Sequence, residues 1–223
     1  EREDLEAIAE VIIEKDIFKR LNITNKHDFN KILDFILDSV GSYVSPRSIS
    51  DTLRSNGTIV DKQTVAKYLD ALCEAYLIYK VPRFEIKGKG LLQTLNKYYI
   101  VDPCFAKVRL KKSIIKDRSQ WLENMVYLEL FRRNKEVFIG KRNNLEVDFV
   151  VIDYNDYTSY YQVAWTTENP DTLERELASL RAIKDSTPKY LITTDIDFNP
   201  VYDGIRKLNV IDWLLSHNPN NTL

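Results

Sequence analysis

In the run LEVDFVV, strand alternation places Glu146 and Asp148 on one side and Leu145, Val147, Phe149 and Val151 on the other. The next run, YYQVAW, places Gln162 and Ala164 together by the same rule. If the two runs pair as a hairpin, the side-chain oxygen of Gln162 comes near Asp148. Glu123, early in the preceding helical stretch, offers a third oxygen. Two carboxylates and an amide oxygen suit a hard divalent ion such as Mg²⁺, which keeps several of its waters and takes one or two acidic ligands. Such an ion makes a bound water nucleophilic and stabilises charge on a phosphodiester oxygen. The same spacing equally describes two acids lining the solvated rim of a half-buried strand.

The elements that must position these residues are legible from periodicity. After Asp28, apolar residues recur at Phe29, Ile32, Leu33, Ile36, Leu37 and Val40, the period of a helix that stops at Gly41. An earlier run with Leu5, Ile8, Ala9, Ile12 and Ile13 has the same period. Ser45-Pro46 caps and opens a short helix with Ile49 and Leu53 inward, closed by Asn56-Gly57. Asp61 caps the next, which buries Val65, Leu69, Leu72 and Tyr76. Two β-rich runs, YLIYKVPRF and NKYYIVD, flank a Lys-Gly-Lys-Gly turn, so the reading is a helix-turn-helix with a two-stranded wing. Its third helix exposes Lys62, Gln63, Thr64 and Lys67 toward a major groove, and Lys87 and Lys89 stand at the wing tip. Winged helices also serve as protein-docking modules, and these residues do not decide between the two.

Beyond a basic connector, VRLKKSIIKDR, the order is helix, three strands, helix, strand, helix, the last helical piece being YDGIRKLNVIDWLLS. That order indicates an α/β sheet with helices packed on it. The domain reading is an N-terminal helical segment over 1–27, a winged helix over 28–110 and an α/β domain over 111–223.

Composition is that of a soluble globular protein, 44% hydrophobic and 29% charged. No run is apolar and long enough to span a membrane, and the acidic Glu1-Arg2-Glu3-Asp4 does not open a signal peptide, so the expectation is a cytoplasmic protein without membrane contact. Cys73 and Cys104 lack metal-site spacing and read as buried structural thiols. Although 32 basic residues balance 33 acidic ones, residues 80–118 hold eleven Lys or Arg against three acids, and residues 146–223 hold six against thirteen. The basic middle can neutralise phosphates. No glycine-rich loop of the G-x-x-x-x-G-K-[ST] or G-x-G-x-x-G kind occurs, so the chain carries no nucleotide phosphate cradle of its own.

The runs EKDI, SYVSPRSISDTL, TVAKYLDALCEAYLIYKV, NKYYIVDP, LENMVYLEL, EVDFVV, YYQVAW and PKYLITTD, in that order, resemble the C-terminal region of archaeal and bacterial AAA-type ATPases that carry the DUF4143 domain. The resemblance implies a winged helix followed by a restriction-endonuclease-like PD-(D/E)XK domain, a mixed sheet flanked by helices, with an ATPase domain missing from this chain. It also implies that Glu123 matches the acid of the first helix, Asp148 the acid of the second strand, and Gln162-Val163-Ala164 the E-x-K of the third. Alanine then stands where a lysine would position the attacking water. Lys141 and Lys189 are the available substitutes. Three functions follow: a DNA-associated module whose nuclease fold is degenerate, an active Mg²⁺-dependent nuclease with a relocated lysine, or a docking module that binds a protein partner for the ATPase.

Overall fold

The computed structural model describes residues 7, 8, 10–19, 23, 25–88, 90–110, 118–197 and 201–216, with backbone alone at 16 and 92–94. The fold is mixed α/β, with a large mixed sheet and helices around it. It divides into two compact units, residues 1–81 with 94–117 and residues 82–93 with 118–223.

In the first unit the apolar stripe of α1 (Lys26–Asp38) buries Phe29, Ile32, Leu33, Ile36 and Leu37. Ser45 caps α2 (Pro46–Ser55) in a reciprocal box with Ser48, each taking the other's backbone N–H at 3.0 and 2.9 Å. Asp61 caps α3 (Lys62–Glu74), accepting from the backbone N–H groups of Gln63 and Thr64 at 2.9 Å and from the Thr64 hydroxyl at 2.6 Å. The turn between α2 and α3 is fixed by the buried Ser50, whose hydroxyl donates to the Val60 carbonyl at 2.5 Å. Strand β1 (Tyr43–Val44) pairs antiparallel with β3 (Gly90–Ile100), and α4 (Pro103–Leu110) ties back to α1 through Arg109, bonded to Asp34 and Asn30. The basic connector therefore begins as a helix, because Phe105, Ala106 and Val108 have an apolar face to bury; residues 111–117 lie outside the described residues.

Three expectations fail here. Tyr76 is 72% exposed, because α3 ends at Glu74 and Tyr76 adopts φ 55°; Tyr68 is buried instead. Ile8 is exposed, and the first helical stretch passes into a π-helix over Ile13–Lys19, which shifts the inward positions to Ile13, Ile17 and Phe18. Cys104 is exposed; Cys73 is half-buried, and burial pushes its thiol up to about 11.

In the second unit, strands β4 (Glu136–Arg142), β5 (Leu145–Ile152) and β6 (Thr158–Val163) form an antiparallel series, and β6, β7 (Lys189–Thr193) and β9 (Ile205–Asn209) run parallel. The short β8 (Val201–Tyr202) closes the edge. Helix α6 (Pro170–Arg181) covers one face, its Leu177 and Leu180 packing with Val150, Tyr160, Leu191 and Ile205. Helices α5 (Arg118–Arg133) and α7 (Val210–Leu215) cover the other, where Tyr127 meets Phe149 and Trp213 meets Tyr161.

Residues 205–209 are a strand, not the start of the last helix. Asp203 and Gly204 take positive φ in a tight turn, after which Ile205 and Lys207 point inward and Arg206 outward, a period of two. A second departure lies in β5. Phe138 faces Val150 while Gly140 faces Val147, so β5 holds one extra residue around Asp148 and Phe149. That bulge brings Val147 into the same core as Val150, faces that plain alternation would have separated. Gly140 is required opposite it: a Cβ there would lie 2.9 Å from Val150 and 3.0 Å from Val147.

The β2 (Ile78–Glu85) and β3 hairpin is no free wing at its far end. Arg83 to Glu85 pair in parallel with Ile139 to Lys141 of β4, the Ile86 N–H donates to the Lys141 carbonyl at 2.9 Å, and Ile86 enters the core beneath α6.

Candidate functional site

Asp148 and Gln162 meet across β5 and β6, and both are buried. One Asp148 carboxylate oxygen accepts the Val163 N–H at 2.8 Å, and the Asp148 N–H donates to the Gln162 side-chain oxygen at 3.3 Å. Beyond the last ladder pair, Phe149 with Tyr161, the two side chains thus continue the strand pairing in place of backbone. The Gln162 oxygen also takes the Ser179 hydroxyl at 3.2 Å, while its nitrogen donates to Glu176 at 3.0 Å. Arg175 holds the other Glu176 oxygen at 2.8 Å.

This arrangement bears directly on a Mg²⁺ site. The Gln162 oxygen already accepts two hydrogen bonds and points under α6, whereas Glu123 belongs to α5 on the opposite face of the sheet. The residues present do not fit a three-ligand site of Glu123, Asp148 and Gln162. Among the described residues no three His, Cys, Asp or Glu side chains gather as a metal centre would need. Glu146 is half-buried on β5 and faces Lys141 across the ladder.

The two substitute lysines stand at different places on the strands. Lys141 pairs in register with Glu146. Lys189 stands at the opposite end of the strands, beside Tyr160, and donates to the carbonyls of Asp185 and Thr187 at 2.7 and 3.2 Å. Ala164 is buried and bonded through its N–H to Ile192, so a lysine there would have to displace its neighbours.

Glu176 and Ser179 were not singled out by sequence, although a signal exists. They interrupt the inward Leu173, Leu177 and Leu180 face of α6 with a polar pair at i, i+3. A larger polar cluster lies where β6 and β7 end beside β9. There Lys207 and Asp195, with side chains 5% and 7% exposed, form an ion pair at 2.9 Å, and Lys207 also bonds Asp197. Asp195 accepts the Thr166 hydroxyl at 2.5 Å and the Thr167 hydroxyl and N–H at 2.8 Å. Burial alone would raise the Asp195 carboxyl, but these hydrogen bonds and Lys207 hold it well below the usual carboxylate range. The cluster joins the loops that follow β6 and β7.

In the first unit, Lys62, Gln63 and Lys67 are exposed at the start of α3, and Thr64 is half-buried with its hydroxyl spent on the Asp61 cap. Lys87 is exposed on the hairpin turn; Lys89 lies outside the described residues. No described helix is long and apolar enough to cross a membrane.

With this geometry in hand, the family model that matches is a domain of unknown function, DUF8612, over residues 1–113. The chain belongs to the DUF8612 family. The match runs through the helical unit and the hairpin. It replaces the resemblance to DUF4143-bearing AAA-type ATPases drawn from the eight ordered runs; neither the family model nor the two relatives described next shows a link to an ATPase. An uncharacterized protein of Haemophilus influenzae is 36% identical over 211 residues, covering 95% of this chain and 52% of its own length. Uncharacterized protein MJ1544 of Methanocaldococcus jannaschii is 28% identical over 216 residues, covering 95% of this chain and 47% of its own. The chain spans about half the length of the curated relatives it matches. No solved structure matches it.

Proposed function

We propose that the chain is a DNA-associated module in which a helix-turn-helix contacts duplex DNA and a nuclease-like α/β unit has lost its chemistry. The observation that carries the first half is the start of α3: Lys62, Gln63 and Lys67 stand exposed on a helix whose other face is buried and whose entry is fixed by Asp61 and Ser50. A rigid helix presenting two cations and an amide at its N-terminal end suits a major groove. The hairpin behind it is the wing of a winged helix whose tip is committed to the neighbouring sheet, which leaves α3 as the reading element.

The second half is supported by what has become of the strand residues. Asp148 and Gln162 close the β5 and β6 pairing and anchor α6, Ala164 stands in the lysine position, and Lys189 is turned onto the carbonyls of its own loop. A hydrolytic site that loses a positioned cation loses about 10²- to 10⁴-fold in rate.

The test is duplex binding followed by fluorescence anisotropy over a range of salt. If Lys62 and Lys67 each neutralise one phosphate, they account for about −1.8 of the log-log slope, about 0.9 per contact. Lys62→Ala/Lys67→Ala should remove that part of the slope and weaken binding. An unchanged slope would move the contact elsewhere and favour docking of a protein.

A further inference from the structure

A pocket of about 210 Å³ opens in the second unit where β6 and β7 begin. Its floor is the stacked pair Tyr161 and Tyr190, with ring centroids 4.9 Å apart, and its rim carries Tyr154 and Tyr157, which are 71% and 73% exposed. Two large aromatic side chains thus stand open on one turn beside the pocket, and hydrogen bonds hold the backbone that carries them. Asp153 accepts the N–H groups of Asn155 and Tyr157 at 2.8 and 2.9 Å, the Asp153 N–H donates to the Tyr157 carbonyl at 3.0 Å, and Lys135 pins Asp156 at 2.8 Å. The turn is preorganised, so a ring that stacks there would pay little to order it.

The charges of the pocket decide what kind of ligand fits. Only Arg133 and Asp153 among its lining residues are ionic, and both are engaged. Arg133 bonds Glu129, donates to the carbonyls of Trp213 and Leu214 at 3.1 Å, and stacks on Trp213. Asp153 is held by its own turn. An isolated phosphate or ammonium would find no unmatched opposite charge. Ring faces remain, together with the polar edges of Asn134, Asn155 and Thr158, which suit an uncharged planar ring carrying donors and acceptors on its rim.

We propose that this pocket binds an unpaired nucleobase, stacked on Tyr154 or Tyr157 and hydrogen-bonded at its edge. The proposal rests on the reading of the chain as DNA-associated, yet concerns a different unit and a different form of nucleic acid from α3. Stacking of bases on aromatic side chains is indifferent to sequence, so the site would hold a single-stranded or frayed end rather than read it.

The experiment compares the full chain's affinity for octathymidylate with its affinity for an octamer of abasic sites carrying the same phosphates, at one ionic strength. The expected result is about 5- to 150-fold tighter binding of octathymidylate. Tyr154→Ala/Tyr157→Ala should abolish the difference while leaving the abasic affinity alone, and Tyr154→Phe/Tyr157→Phe, which keeps the rings, should retain it. Thymidine as competitor separates the sources: full displacement points to a free nucleoside, none to a strand. Equal affinity for both octamers, binding of neither, or a difference that survives loss of both tyrosines would overturn the proposal. Duplex binding by Lys62→Ala/Lys67→Ala reports on α3 alone, so failure of one reading is visible apart from the other.

Discussion

Two pairs of lysines, one in each unit, do opposite work. On α3, Lys62 and Lys67 project from the surface, and no hydrogen bond or ion pair ties them among the described residues. In the α/β unit, Lys207 is buried between Asp195 and Asp197, and Lys189 is turned back on its own loop. In the same unit Asp148 and Glu176 join β5, β6 and α6 internally. The difference teaches that composition counts charges without saying which are available. Lys62 and Lys67 can meet a ligand; Lys189 and Lys207 hold loops in place, and the open pocket beside β6 and β7 is lined by tyrosines.

The comparison breaks most visibly at Lys207. Lys207→Ala leaves Asp195 buried without its cation, and urea unfolding should show a loss of about 3–5 kcal/mol, whereas Lys62→Ala should stay within about 0.5 kcal/mol of the parent. Similar values for the two would refute the division. The same cluster sets an acid limit. A carboxyl whose folded pKa is depressed contributes stability above its unfolded pKa, near 3.9, and loses it as pH falls toward the folded value. Stability should therefore fall below about pH 4, and Asp195→Asn should flatten that part of the profile.

Gly140→Ala comes next. The new Cβ would press on Val147 and Val150 at the bulge, and calorimetry should register about 1–3 kcal/mol of destabilisation. A neutral result would mean that the extra residue in β5 relaxes easily and does not fix Asp148. A smaller loss is expected at the cap of α2. Ser45→Ala should cost about 1 kcal/mol, through the lost bond to the Ser48 N–H.

Much of the first unit is legible because its determinants are local. The stripe from Phe29 to Leu37, the Ser45 box and the Asp61 cap each lie within a few residues, and the structure contains them. The ends were harder: Tyr76 continues the helical period, yet the chain turns before it. In the second unit the decisive facts are pairings between distant residues. Lys207 finds Asp195, Gln162 finds Glu176, and the hairpin tip finds β4; none of these is a spacing. Adjacent polar residues in a strand suggested ligands. The bulge around Asp148 and the polar interruption of α6 engage Asp148 and Gln162 in hydrogen bonds between elements, and only the interruption left a trace in the sequence.

On the function proposed above, this chain grips duplex DNA without cutting it. The most direct test incubates it with end-labelled duplex in Mg²⁺ and in Mn²⁺ and runs each sample on a native and a denaturing gel. The expected result is a shifted band on the first and full-length strands on the second, with Asp148→Ala altering neither pattern. Strands shortened only when metal is present, and restored to full length by Asp148→Ala, would contradict it, as would the absence of any shift.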